Sequence, residues 1–228
     1  TSIFNFIYGV LHFLRMGCTG FTAEAYGLKN RFSILQVSVR FLVLSFGIGL
    51  FLVVSCFCLL CIAPYWNPLS SILGGYPQVT CYVKIRIAAA PLTLINVTLI
   101  GFFIGVQQPR NALWLSVLSS LFTLLGVLIF ADHYPHSLNA LAAADVVAQS
   151  LVAVIGLLLW ARYFGLDLLS RLTCSMVFDY QNLPRFFQIN QAVFLRSLLL
   201  VGTLSLFTVY SAHLGIEVLS LNTLLLSI

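Results

Sequence analysis

Asp145 is the residue of this chain that packing alone explains least. It lies in Leu138-Asn139-Ala140-Leu141-Ala142-Ala143-Ala144-Asp145-Val146-Val147-Ala148-Gln149, with no other Lys, Arg, Asp or Glu between His133 and Ala161. A carboxyl inside an apolar helix is costly to desolvate and marks a place where a cation is held or a proton is passed. Gln149 follows four residues on, so it shares the face of Asp145. The alanine run lets a neighbouring helix approach closely. The competing reading is an aspartate in the outer turns of its helix, favoured by the helix dipole and wetted from outside.

Pro91, Thr93 and Asn96 form a second constellation. Thr93 and Asn96 are three apart and share a helix face. Pro91 removes a backbone donor, frees a carbonyl one turn earlier and kinks the helix. Such a kink with an amide at membrane depth suits the wall of a polar cavity, or else a hydrogen bond between helices with no ligand. Thr93, Asn96, Asp145 and Gln149 are therefore the candidate lining of a path through the molecule. Arg15 and Arg196 are intramembrane charges of structural or functional kind. Each either snorkels to the inner headgroups, holds neighbouring helices through carbonyl contacts, or faces the path.

Other groupings carry less. Cys56, Cys58 and Cys61 have no His or acid beside them and read as small apolar residues, while Cys18, Cys81 and Cys174 are scattered, so no disulfide framework is implied. Asp132-His133-Tyr134-Pro135-His136 reads as a short external turn, with a pH-sensitive or metal-binding loop as its alternative. No nucleophile with a base, oxyanion hole or carboxylate pair is present, so no enzyme, metal site or organic cofactor is expected.

The elements that must hold these residues follow from where charge is absent. Phe41 to Tyr82, Ile87 to Pro109, Asn111 to Ala131 and Ser197 to Ile216 contain no Lys, Arg, Asp or Glu. About 20 apolar residues suffice to cross a hydrocarbon core as a helix, and only helices or closed barrels satisfy their backbone there. Hydrophobic residues make up 61% of the chain and charged ones 7%, and the mean hydropathy is +1.04. A soluble domain of this size needs far more charge on its surface. The fold class is thus an all-α polytopic membrane protein. Spans are expected at Ile3–Thr22, Val37–Ile62, Val83–Val106, Leu113–Ala131, Leu138–Tyr163 and Ala192–Ala212, with another starting near Val218.

The net charge of +5 reports topology. Lys29, Arg31, Arg110, Arg162, Arg171 and Arg185 fall in alternate connections, and Ala63–Thr80, Asp132–Ser137 and His213–Glu217 hold no Lys or Arg. The first set is then cytoplasmic. Lys84 and Arg86 are expected to snorkel outward at the outer end of the third span. The basic residues are too few and too dispersed for nucleic acid. Both ends lie in apolar runs, so the chain reads as an internal fragment. It divides into transmembrane helices at 1–163, a cytoplasmic linker at 164–189 and the start of a second transmembrane lobe at 190–228.

Phe13-Leu14-Arg15-Met16-Gly17-Cys18-Thr19-Gly20-Phe21-Thr22-Ala23-Glu24-Ala25-Tyr26-Gly27 resembles the second helix of the MATE (multidrug and toxic compound extrusion) transporters. The similarity is greatest to the branch of the DNA-damage-inducible protein F. Ala90-Pro91-Leu92-Thr93-Leu94-Ile95-Asn96, with Gly101, Gly105, Gln107 and Arg110, is similar to that branch's fourth helix. Asn190, Leu195-Arg196-Ser197, Leu214-Gly215 and Asn222 resemble its seventh helix and the entry to the eighth. The resemblance runs along the whole chain. It implies a partial MATE-type bundle: a first lobe lacking its first helix, and the start of the second lobe. It also implies export of amphipathic or cationic small molecules by H+ or Na+ antiport across the inner (cytoplasmic) membrane. Partners are then the small-molecule substrate and the bilayer, with no nucleic acid and, for the full-length protein, no second copy. The family's fifth-helix aspartate falls at Val127 or Gly126, its companions at Ser120 and Thr123, and two further acids at Gln149 and Ala192. Coupling would then rest elsewhere, and Asp145 is the best remaining acid. The alternatives are a flippase for lipid-linked precursors, which needs several basic residues in its cavity, or a non-transporting remnant.

Overall fold

A computed structural model describes residues 9–62, 77–133, 138–165 and 183–213. Seven helices stand among them: α1 (Phe13–Gly27), α2 (Arg31–Ile62), α3 (Pro77–Ala88), α4 (Ala90–Gly105), α5 (Pro109–His133), α6 (Leu138–Phe164) and α7 (Leu183–His213). Five stretches are long and apolar enough to cross a membrane: Arg31–Cys58, Cys81–Gly105, Pro109–Ile129, Leu141–Phe164 and Asn190–Thr208. The protein is an all-helical, multi-pass membrane protein. The expected span near Val218, and much of the linker at 164–189, lie outside the described residues.

The helices outrun the apolar segments that announce them. α2 has 32 residues, about 48 Å at 1.5 Å per residue, against a core of roughly 30 Å. It starts at Arg31 rather than Val37 because Asn30 caps it: the Phe32 and Ser33 amides donate to Asn30 Oδ1 at 3.1 and 3.3 Å. The kinked span expected at Val83–Val106 falls on the one apolar stretch Cys81–Gly105, which is divided into two helices at Ala89. Pro91 stands in the first turn of α4, where its missing N–H costs nothing, and the amide of Thr93 closes onto the Ala89 carbonyl at 3.0 Å.

The described residues fall into two compact units, one within Cys18–Asp179 and the other joining Thr1–Gly17 to Tyr180–Ile228. In the first, α4 is central and packs against α2, α5 and α6, while α3 lies mainly on α6. Close approach is bought by small residues. Gly49 of α2 faces Pro91, Gly105 of α4 faces Thr19 and Thr22, and Gly126 of α5 faces Ala144. In the second unit, Phe13 and Phe194 meet edge to face with centroids 5.2 Å apart. Large apolar side chains stay exposed on α2 (Phe46, Leu50, Phe51), α5 (Leu121, Leu124, Leu128) and α7 (Leu199, Leu206, Phe207), as lipid requires and water forbids.

Two tight turns sit at the basic end of the first unit. Lys29 links α1 to α2 in a left-handed conformation, φ 54°. Gln107 does the same between α4 and α5, φ 58°, and the Gln108 amide reaches back to Phe103 O at 2.9 Å, a helix-ending pattern. Tyr26 and Arg31 lie near enough to Tyr163 to act on it electrostatically, so the ends of α1 and α6 and the start of α2 gather there. Cysteines placed at Lys29 and Arg110 should be labelled by an impermeant maleimide from the cytoplasmic face, and one at His133 from the other. Labelling of all three from one face would overturn this topology.

Candidate polar seam between the third, fourth and sixth helices

Most side chains along α4 that are buried are apolar: Leu94, Leu99, Phe102 and Phe103. Asn96 and Thr98 are buried among them, two residues apart and so directed to different neighbours. Asn96 faces α6. Its Nδ2 donates to the backbone carbonyl of Gln149 at 3.0 Å and to Gln149 Oε1 at 2.8 Å. A carbonyl only accepts, so this contact fixes which end of the Asn96 amide points at α6. Asn96 is 5% exposed, and its Oδ1 has no hydrogen-bond partner among the described residues. Orphaned acceptors at this depth are uncommon, because desolvation without a partner costs about 1–3 kcal/mol.

Thr98 faces α2, where its hydroxyl and that of Ser45 share a very short hydrogen bond. Each also donates within its own helix, Ser45 to Phe41 O at 2.7 Å and Thr98 to Leu94 O at 2.9 Å as alternative donor positions. Deeper along α6, Trp160 Nε1 donates to Ser38 Oγ at 3.2 Å beside an aromatic cluster of Phe102, Tyr163 and Phe164.

Asp145 lies one turn, about 6 Å, before Gln149, towards the N-terminus of α6. It is paired with Arg86 of α3, Nη1 to Oδ2 at 3.2 Å, with the two side chains 23% and 16% exposed. This corrects the expectation for Arg86. Its guanidinium is turned inward onto α6, because a partly buried carboxylate offers a better partner than distant headgroups. Lys84 is exposed on the same helix. A charged pair, then an amide pair, thus run down the contact of α3 and α4 with α6.

Of the expected path residues, the fold brings Asn96 and Gln149 together and sets Asp145 beside them. Thr93 does not join: its hydroxyl donates back to Ala89 O at 3.1 Å, across the helix break. Arg196 is exposed on α7. Arg15 is half-buried and stands well inside α1, which runs on to Gly27. Arg15→Ala in the full-length protein should lower folded yield several-fold while leaving the order of preferred substrates as in wild type. Unchanged yield with a changed preference would move Arg15 into the path. Among the described residues no three His, Cys, Asp or Glu side chains gather in a metal-binding group. Asn67, Cys174 and Tyr134–His136 lie outside the described residues.

Sequence reasoning missed Arg86, Ser45 and Ser38 as members of these contacts. For Arg86 a signal existed: it and Asp145 have opposite signs and stand near the same end of otherwise uncharged spans. The two serines left none, since a hydroxyl in an apolar helix is satisfied by its own backbone as readily as by a neighbour.

No family model matches the chain. It is 29% identical over 228 residues to the DNA damage-inducible protein F of Escherichia coli (strain K12), covering 98% of this chain and 48% of that protein. Among solved structures it is similar to the inward-facing conformation of a multidrug resistance MATE family transporter of the MOP superfamily. That match has a TM-score of 0.64 and 17% identity, over 87% of this chain and 44% of the other. The chain spans about half the length of the relatives it matches. Its described helices have the fold of a partial MATE-type bundle, and its sequence resembles the DNA-damage-inducible protein F branch of that family along almost its entire length.

Proposed function

We propose that this chain is part of a secondary active exporter of the inner (cytoplasmic) membrane, driving amphipathic or cationic small molecules outward in exchange for H+ or Na+. The observation that carries the reading is the seam between α3, α4 and α6. An apolar bundle here holds a partly exposed ion pair and, one turn deeper, a buried amide with an unsatisfied acceptor. Amide contacts and ion pairs between helices also hold a bundle together, but an amide oxygen buried with no partner among the described residues costs desolvation and holds nothing. A pathway for hydrogen-bonding cargo gives that acceptor a use.

In this reading Asn96 presents Oδ1 to cargo or coupling ion, and Gln149 holds the amide in that orientation. Asp145 supplies negative charge at the outer half of the path. Thr93 acts indirectly, its hydroxyl adding a second bond to the Ala89 carbonyl at the turn between α3 and α4. A flippase for lipid-linked precursors needs clustered cations to meet phosphate, and the seam offers a net charge of zero instead.

The test is dye efflux by the full-length protein in proteoliposomes under an imposed proton or sodium gradient. Asn96→Leu keeps the branched shape and removes the acceptor together with the bonds to Gln149, and efflux should fall at least ten-fold at unchanged protein content. Efflux at the wild-type rate would refute the seam as the path. Gradient-independent movement of a lipid-linked headgroup, with no dye efflux, would favour the flippase.

A further inference from the structure

Resting on that reading, we propose that Arg86 is an internal stand-in for cationic cargo. Its guanidinium occupies Asp145 until a planar organic cation replaces it, beside a joint at Pro91 that frees the short helix α3 from α4. Three independent features meet here. The first is the ion pair itself, which shows that Asp145 accepts a flat, delocalised cation at 3.2 Å in a partly buried setting. A cationic cargo that brings an N–H donor to Asp145 can make the same contact.

The second feature is the joint. α3 has 12 residues and is separated from α4 by the turn at Ala89. Pro91 has no N–H, so the carbonyl of Ile87 lacks its usual helical donor and the two helices are not joined by a continuous ladder. Pro91 itself is seated on the backbone of α2 at Gly49. The joint is thus held in place while α3, on its outer side, keeps a rotational freedom that a straight helix lacks. Hinges of this kind absorb backbone rotation at a few residues. Arg86 lies three residues before Ala89, so a swing at the joint moves its backbone little, and the guanidinium leaves Asp145 chiefly by rotation about its own long side chain, without dragging α4.

The third feature is the acceptor waiting deeper in the seam. Asn96 Oδ1 is buried and unpartnered among the described residues, about one helical turn beyond Asp145 along α6. A cation with ring N–H or amino donors that displaces Arg86 gains this acceptor as well. Arg86, fixed to α3, does not give it up by leaving. Exchange therefore conserves the charge balance at Asp145 and adds a hydrogen bond, so an empty transporter never exposes an uncompensated carboxylate to the bilayer.

The experiment is equilibrium binding of ethidium, a planar monocation, to the full-length protein in nanodiscs at fixed pH. Its uncharged parent phenanthridine serves as the control. Arg86→Gln removes the competitor, and ethidium should bind three- to ten-fold more tightly while phenanthridine changes little. Arg86→Lys keeps a charge and should show only a small part of that gain. Asp145→Asn should weaken ethidium ten-fold or more, and adding Arg86→Gln to it should then bring no gain. Tighter binding cannot come from misfolding, so the first variant remains decisive even if Asp145→Asn folds poorly. Unchanged or weaker ethidium binding by Arg86→Gln, in a wild-type background that binds and exports ethidium, would overturn the exchange and leave the exporter standing. A full-length wild type that neither binds nor exports either dye would overturn the exporter, and the exchange with it.

Discussion

Gly49→Ala should unfold or misassemble the bundle, giving a several-fold loss of monodisperse protein by size-exclusion chromatography and a fall in Tm. A Cβ at position 49 would lie 2.4 Å from Pro91 Cα and 2.8 Å from Pro91 N. Those are backbone atoms of a residue whose φ is fixed by its ring, so neither side yields. Overpacking in a tight interior costs typically about 1–3 kcal/mol, and a backbone clash belongs at the upper end. Gly105→Ala should follow the same course, because its Cβ would meet Thr22 Cβ at 2.7 Å and Thr19 O at 2.9 Å. Gly156→Ala should be milder, since the obstacle at 2.8 Å is the mobile end of Leu99. Gly20→Ala meets nothing within 4 Å and should be neutral or slightly stabilising by helix propensity. A flat response across the four would mean that α2, α4 and α6 are not packed as described.

Arg86→Ala and Asp145→Ala should each destabilise strongly, and the double variant by less than their sum. Removing one member of a buried pair leaves its partner uncompensated in a poor solvent, at a cost of about 3–5 kcal/mol. Here both side chains keep some exposure, 23% and 16%, which places the loss at the lower end, near 3 kcal/mol. Replacing both by Leu should recover most of the stability, because two apolar side chains need no partner, while efflux of cationic dyes stays lost. The measurement is a thermal double-mutant cycle on detergent-purified full-length protein. Strict additivity would show that the two side chains do not act on one another in the folded state.

The broad fold was legible because lipid imposes it. Charge-free segments of the right length had one viable structure, and the helices α2, α5 and α6 appear where those segments lie. The break before α4 was legible from Pro91, although a kink and a full break look alike in sequence. The helix ends were less so: α2 and α7 extend past their apolar cores, since nothing in hydropathy marks where capping begins. At the candidate site, the i,i+4 relation of Asp145 to Gln149 was visible, but their partners were not. Asn96 meets Gln149 from 53 positions away, and the periodicity of one helix says which face is polar without saying which helix it meets. Thr93 illustrates the converse: its position on the face of Asn96 was read correctly, yet its hydroxyl is spent on the backbone of its own helix.

The bond between Arg86 and Asp145 also orders events during synthesis. The ribosome delivers α3 well before α6, so for a time the guanidinium of Arg86 has no Asp145 carboxylate to meet. Near the end of its span, the long stem of Arg86 can reach the headgroups in that interval. Residue 145 then takes the guanidinium from the lipid surface, so this contact is among the last that the four helices α3 to α6 can make.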